Sequence, residues 1–408
     1  MSANTTRVLP QDRPRRIRLC VLATIGKSIQ VLYAGRLEHL SANGFEITVA
    51  CAPSEDDAAI ATRGVRLRTF PLTRSITPWQ DLRALLQLYR FFRQERFDLI
   101  EVSTPKAALI GSIAARLARC PGHIHILHGM PYEGKRGLLG GVLRASTSIP
   151  CRLAHVTFAV SPSMRERVCA DGLGHPSRVR VLGTGSANGV DLGRFSPERI
   201  ALKGEFRANH RIPADAVVIG FVGRLTRDKG IEELVRAFVA VHERNRKVML
   251  LLIGDYEHRD RPADDVIRTI SGHPSIRFVG FQSDVVPGMA AMDVVALPTY
   301  REGLGNVLLE AAALGLPTVA TDATGARDAI LPGTTGVQVP VGDAEALRDA
   351  FLMLARDPAL REQMGRAGRA WVCANFDQSD VWQRQIREYR TLVAALLNAP
   401  ITARRVET

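Results

Sequence analysis

Residues 297–317 read LPTYREGLGNVLLEAAALGLP, and the rest of the chain can be organised around them. The apolar run Val294–Leu297, ended by Pro298, has the length of a short buried strand with a proline at its exit. A charged pair (Arg301, Glu302) and a glycine-spaced turn (Gly303, Gly305) follow. From Asn306 to about Leu314 the apolar spacing predicts a helix, closed by Gly315 and Pro317. A strand, a glycine turn and a helix in this order place a carboxylate and close-approaching backbone amides at a helix N-terminus, where N–H groups and the helix dipole favour anions. The helix also carries Glu310 among Val307, Leu308, Ala311 and Leu314. An acid on so apolar a face calls for a partner or a ligand.

Outward from this stretch the chain alternates strand-like and helix-like patterns. Ile17–Thr24 reads as a strand and Ile29–Ala42 as one amphipathic helix, and the alternation continues to Leu182. The pattern lapses in GTGSANGVDLGRFSP (183–197), whose glycines and small polar residues predict a hinge. A second series opens with Val217–Val222, and three helical segments close the chain, with Trp371 and Trp382 as packing anchors. Strands separated by helices of 10–15 residues imply βαβ units and parallel sheets. The expected architecture is α/β: two doubly wound, Rossmann-like domains facing across a cleft, with ligands at the carboxyl ends of the strands. The expected limits are a disordered lead-in at 1–15, a first domain at 16–190, a second at 191–380, and a C-terminal helix, 381–408, packing back toward the first domain.

With 408 residues the chain exceeds one ordinary core. No apolar run approaches the roughly 20 residues that span a bilayer. The N-terminus is polar and basic, without a secretory apolar core. Six widely spaced cysteines suggest reduced thiols in a cytoplasmic protein, and no metal site is expected. The net charge of +13 lies wholly in residues 1–195, which hold 27 Lys+Arg against 14 Asp+Glu. So polarised a domain should meet something anionic, either an acidic lipid surface or a phosphorylated substrate. Neither half offers a recognisable nucleic-acid module, so nucleic acid is not expected.

Two constellations point to chemistry. In Gly223-Arg224-Leu225-Thr226-Arg227-Asp228-Lys229-Gly230, Arg224 sits at a strand exit and Lys229 before the next helix. A planar fork and a point charge there can grip a diphosphate, although two solvated loop charges would read the same. Glu302 and Glu310 would stand roughly 12 Å apart along a helix. A glycosidase acid/base pair sits at about 5–9.5 Å, so this spacing better suits two hydroxyl-binding carboxylates at the ends of an extended ligand.

Gly-Arg-Leu…Lys-Gly, followed some 75 residues later by Pro-Thr-Tyr-Arg-Glu-Gly-Leu-Gly-Asn-Val-Leu-Leu-Glu-Ala, resembles the family 4 retaining glycosyltransferases of GT-B fold. Val160-Ser161-Pro162, Asn188-Gly189-Val190-Asp191 and the segment Thr321–Asp328 fall in the family's order, and the wording is closest to its capsular and lipid-linked oligosaccharide branch. The resemblance implies that Arg224 and Lys229 hold the donor diphosphate, Glu310 the ribose and Glu302 the donor sugar. Gly303, Leu304, Gly305 and Asn306 would meet sugar and phosphate, and Phe281 would flank the base. His128 would stand near the anomeric carbon. Gly26 opens a loop with fewer glycines than the family usually has, and would touch donor or acceptor. No cofactor or metal is implied.

The implied reaction moves a sugar from a nucleotide donor, a UDP-sugar by preference, to a lipid-diphosphate-linked glycan for capsule, O-antigen or exopolysaccharide. The enzyme would work peripherally on the inner face of the cytoplasmic membrane. The basic, apolar segments Trp79–Arg96 and Gly134–Arg144 are candidates for anionic membrane contact. A nucleotide-sugar epimerase or hydrolase on the same fold, and a non-catalytic nucleotide-sugar-binding protein, are the alternatives.

Overall fold

The computed structural model describes residues 15–257 and 260–398, the side chains of 397 and 398 excepted. Except for Arg15, the lead-in assigned to 1–15 lies outside the described residues, as does the end of the 381–408 segment. Among the described residues, thirteen strands form two all-parallel sheets. The first has the order β3-β2-β1-β4-β5-β6-β7 and the second β10-β9-β8-β11-β12-β13. Their ranges are β1 Ile17–Ile25, β2 Phe45–Ala52, β3 Arg66–Thr69, β4 Leu99–Val102, β5 Gly122–Leu127, β6 Val156–Ala159 and β7 Val179–Arg180 in the first sheet. In the second they are β8 Val217–Val222, β9 Val248–Ile253, β10 Ile276–Phe278, β11 Val294–Leu297, β12 Thr318–Thr321 and β13 Gly336–Val339.

The strand sequences explain this arrangement. Parallel strands are covered on both faces and therefore read as continuous apolar runs, as in Val-Met-Leu-Leu-Leu-Ile of β9, which is buried throughout. In β1, Leu19, Val21 and Ala23 join one apolar cluster, while Cys20 and Leu22 join another beneath the helices Pro78–Glu95 and Pro105–Ala118. That split is the two-residue period of a strand sandwiched between layers.

The single helix expected at Ile29–Ala42 is instead two, Gly26–Leu32 and Arg36–Ala42. Gly35 breaks it, with φ +72° and an absent side chain whose Cβ would come 2.8 Å from the Trp382 ring. Local amphipathicity continues across the break, so tertiary packing against the C-terminal helix makes the difference.

That helix, Gln378–Asn398, returns to the first domain. Tyr389 completes a fully buried cluster in which the Arg36 guanidinium donates to Glu101 Oε2 (2.7 Å) and Tyr389 Oη (2.6 Å), and Tyr389 Oη donates to Glu101 (2.6 Å). The chain thus crosses between domains twice, and the crossings lie side by side. Val190 N–H donates to Phe376 O (2.7 Å), and Gln378 N–H donates back to Val190 O (3.1 Å).

Candidate functional site

Each sheet reverses its strand order between two neighbouring strands, β1 and β4 in the first and β8 and β11 in the second. At such a switch point the loops leave in opposite directions and open a crevice at the strand ends. The second crevice is flanked by the loop after β8, with Arg224, Asp228 and Lys229, and the loop after β11, with Arg301, Glu302 and Gly303.

The two loops are fastened together. Gly230 takes φ +71°, and a side chain there would collide with Pro298 O. Tyr300 N–H donates to Asp228 O (2.9 Å), and Thr299 Oγ1 donates to the same carbonyl (3.0 Å). This close approach sets the Lys229 ammonium against the Glu302 carboxylate in an ion pair. Arg301 reaches Asp228 Oδ2 (3.3 Å) and donates across the cleft to Pro131 O (3.4 Å). Burial opposes the Asp228 charge, but Thr226 Oγ1 (2.6 Å) and the cations of Lys229 and Arg301 hold its carboxyl below the usual carboxylate range. Arg224 is half-exposed and rests on Glu257.

Two cavities meet at these loops. The larger, about 790 Å³, runs from Gln30 and Gly35 past the hinge (Asn188–Asp191, Arg194) to Glu302–Val307 and Glu310. The smaller, about 330 Å³, lies mainly in the first domain, between Thr104, Ala108, His125–Pro131, Ser146 and Thr147, and is closed by Arg224, Asp228, Lys229 and Arg301–Gly303. Both sizes fall within the range of ordinary ligand pockets. Four residues line both cavities: His128, Lys229, Glu302 and Gly303. Their partition is tight, since a side chain on Gly303 would strike His128 O.

Along the larger cavity, Gly305 adopts φ +72° and starts the helix Asn306–Ala313 without a side-chain cap. Its first amides are therefore not claimed by a capping side chain. One turn further on is Glu310, whose carboxyl burial pushes up to about 7, with Arg194 opposing. His128 Nε2 is buried without a hydrogen-bond partner. Burial, then the charge of Arg36, push that imidazole down to about 3, so it is neutral at pH 7. Thr104 sits at the end of β4 with φ +62°, and its Oγ1 accepts from Thr24 N–H (3.0 Å). Strain of this kind is held in place by surrounding contacts and clusters at working sites.

The structure brings together Arg224, Lys229, Glu302, Gly303, Leu304, Gly305, Asn306, Glu310 and His128. It places the other two candidates elsewhere. Gly26 lines neither cavity; a side chain there would collide with Ser54 Oγ, so packing rather than a ligand occupies its open side. Phe281 is 64% exposed and lines neither cavity, its ring lying 5.7 Å from Lys27 Nζ of the first domain. Asp228, Arg301, Thr104 and Arg194 line the cavities but were not singled out from sequence. Asp228 and Arg301 stand inside the two motifs quoted above, and a charge at a strand's carboxyl end was the available signal. Among the described residues no cluster of three or more His, Cys, Asp or Glu could hold a metal ion.

Two parallel-sheet domains closing on such a partitioned cleft have the form of a GT-B glycosyltransferase. Two family models match, Glycosyltransferase Family 4 over residues 36–194 and Glycosyl transferases group 1 over residues 216–357. The chain belongs to this glycosyltransferase family. It is 31% identical over 376 residues to the capsular polysaccharide biosynthesis glycosyltransferase CapM of Staphylococcus aureus, covering 91% of this chain and 96% of that protein. It is 24% identical to the UDP-Gal:alpha-D-GlcNAc-diphosphoundecaprenol alpha-1,3-galactosyltransferase of Escherichia coli, covering 81% of this chain and 86% of that one. The crystal structure of Anabaena Alr3699/HepE in complex with UDP-glucose superposes with a TM-score of 0.77 at 22% identity, covering 92% of this chain and all of the other.

Proposed function

We propose that the enzyme transfers a sugar, with retention, from a UDP-sugar in the larger cavity to a lipid-diphosphate-linked glycan whose terminal sugar enters the smaller one. The observation that carries this reading is the partition of His128, Lys229, Glu302 and Gly303, which both cavities share. It supplies one point at which an anomeric carbon and an acceptor hydroxyl can meet. The donor complex of the Anabaena structure and the names of the Escherichia coli enzyme's substrates support the two substrate classes.

In this reading Glu310 takes the ribose hydroxyls, and the amides from Gly303 to Asn306 approach sugar and phosphate. Arg224 and Lys229 exchange their carboxylate partners for the diphosphate and stabilise it as it leaves. With the two cations on the leaving group, no metal is required. Neutral His128 offers its unpartnered nitrogen as a hydrogen-bonding group at the reacting carbon rather than as a charge. The acceptor hydroxyl approaches from the side the diphosphate leaves, bonds to the anomeric carbon as the C–O bond to the diphosphate breaks, and passes its proton to the departing phosphate oxygen. A panel of UDP-sugars with membrane-extracted lipid-linked acceptors, the product linkage read by NMR, tests the whole. One donor should give a retained glycosidic bond on the lipid-linked glycan, whereas free sugar or an epimer alone would refute the reading.

The acceptor's lipid gives the basic first domain a task. The helix Gly137–Leu153 lines the smaller cavity with Ser146 and Thr147 and exposes Leu138 (88%), Leu139 and Val142 toward its other end. Trp79 (85% exposed) and Ile76 stand out near the start of the helix Pro78–Glu95, which also presents Arg83, Arg90 and Arg93. No helix among the described residues is long and apolar enough to cross a membrane. Apolar and basic groups presented together suit the interface of an anionic leaflet, so the enzyme would sit peripherally on the inner face of the cytoplasmic membrane. Leu138→Glu with Leu139→Glu should reduce sedimentation with phosphatidylglycerol vesicles about tenfold, leaving UDP affinity unchanged; equal sedimentation would remove this face from the model of membrane contact.

A further inference from the structure

The helix Pro162–Ala170 of the first domain lacks a cap of its own. Ser161, in the capping position, makes no side-chain hydrogen bond, and its Oγ is buried without a partner. The cap comes from the second domain, 165 residues away: Asp328 Oδ2 accepts from Ser163 N–H (2.9 Å) and from Ser163 Oγ–H. A carboxylate on the second amide of a helix fills the place a capping side chain would take, and meets the positive end of the dipole. Ser163 is 2% exposed and Asp328 is partly buried, so the Ser163 side of this contact is shielded from water.

The segment holding Asp328 also braces the catalytic loop. Gly325 N–H donates to Ser163 Oγ (2.7 Å), and Glu302 N–H donates to Thr324 O (3.0 Å). Gly325 has φ +81°, and a Cβ there would lie 2.5 Å from both Glu302 O and Gly303 O. On its other side, Thr324 Oγ1 donates to Glu133 of the first domain (2.8 Å). The turn 324–328 is thus pressed between a first-domain helix and the backbone that forms the partition.

We propose that Asp328 is a positioning residue for glycosyl transfer. By capping a helix of the opposite domain it holds the cleft closed on this side and fixes the Glu302–Gly303 backbone against His128. The inference goes beyond the donor and acceptor assignment but rests on transfer taking place at that partition. An opened latch leaves the second domain's own nucleotide contacts intact while misplacing the groups that must converge. A displacement of about 1 Å at a reacting centre costs on the order of a hundredfold in rate.

Asp328→Ala and, independently, Ser163→Ala should lower turnover of the wild-type donor–acceptor pair about ten- to hundredfold, with the calorimetric Kd for UDP within about twofold of wild type. Asp328→Asn, whose amide oxygen can accept both hydrogen bonds, should recover most of the rate. Small-angle scattering of the ligand-free protein should show a larger radius of gyration for Asp328→Ala than for Asp328→Asn or wild type. This readout needs no substrate, so a wild type that fails to bind UDP would count against the donor assignment alone. Unchanged turnover in both the Asp328→Ala and Ser163→Ala proteins, an asparagine variant as slow as alanine, or UDP affinity falling in proportion to rate would each overturn the proposal.

Discussion

Lys229→Ala is expected to lower turnover by two to three orders of magnitude. In the ligand-free protein Lys229 is paired with Glu302 in the wall between the cavities, where both side chains are largely shielded from water (14% and 21% exposed). Once a diphosphate arrives, the ammonium is the cation nearest the partition, and charge develops on the leaving oxygen beside it. Removing one such preorganised donor costs about 10²–10³ in kcat in comparable oxyanion sites, or roughly 2.7–4 kcal/mol. The loss should fall mainly on kcat, because Arg224 still binds the ground-state diphosphate. Lys229→Arg keeps the charge on a different geometry and should rescue only partly. The double variant Lys229→Ala/Glu302→Gln should be far from additive, since each single change also strands the other member of the pair. Single-turnover kinetics with saturating donor would check this, and a kcat within threefold of wild type would remove Lys229 from the reaction.

The second large effect is a pH dependence centred on Glu310. Burial raises its carboxyl to about 7, so without donor it is substantially protonated at neutral pH. Folding alone favours the protonated form, and this group's contribution to stability declines as pH rises from about 4.5 through 7. Ribose hydroxyls donating to the carboxylate favour the charged form and pull the pKa down. Donor binding must then release a proton below pH 7, and UDP affinity should climb from pH 6 toward 8 and level off. Glu310→Gln should lose this dependence, leaving only the titration of the UDP phosphate itself. At pH 8 it should bind UDP about tenfold or more weakly, the scale of one hydrogen bond to a charged group. Calorimetric titrations of both proteins at pH 6, 7 and 8 distinguish the outcomes; parallel pH curves would take Glu310 off the ribose.

The parts of this site that were legible in sequence are those written locally. β11 was visible as four apolar residues before a proline, and the helix Asn306–Ala313 by its apolar spacing and its terminal glycine and proline. Arg224 and Lys229 were visible because they stand on a loop between a clear strand and a clear helix. Contacts between residues far apart in sequence were not legible. Nothing near residue 163 announces that its helix is capped by Asp328, and nothing near Gly35 announces the indole of Trp382. At Gly26 the sequence is ambiguous, because a glycine between strand and helix looks the same whether phosphate or a neighbouring hydroxyl fills its open side. Glu310 could be singled out as an acid on an apolar face, but its elevated pKa comes from burial in the folded protein, which no local pattern records.

The paired crossings at Val190 and Gln378 give the molecule a mechanical character. A single tether would let the domains twist, slide and separate. Two covalent strands laid in parallel and hydrogen-bonded to each other resist all three and leave rotation about their common line as the soft motion. Gly189 keeps that line narrow, since a side chain there would come 2.6 Å from Gln378 Cα. The enzyme is in this sense a door on a double-pinned hinge, a geometry that favours rotation about one line over other openings of the cleft.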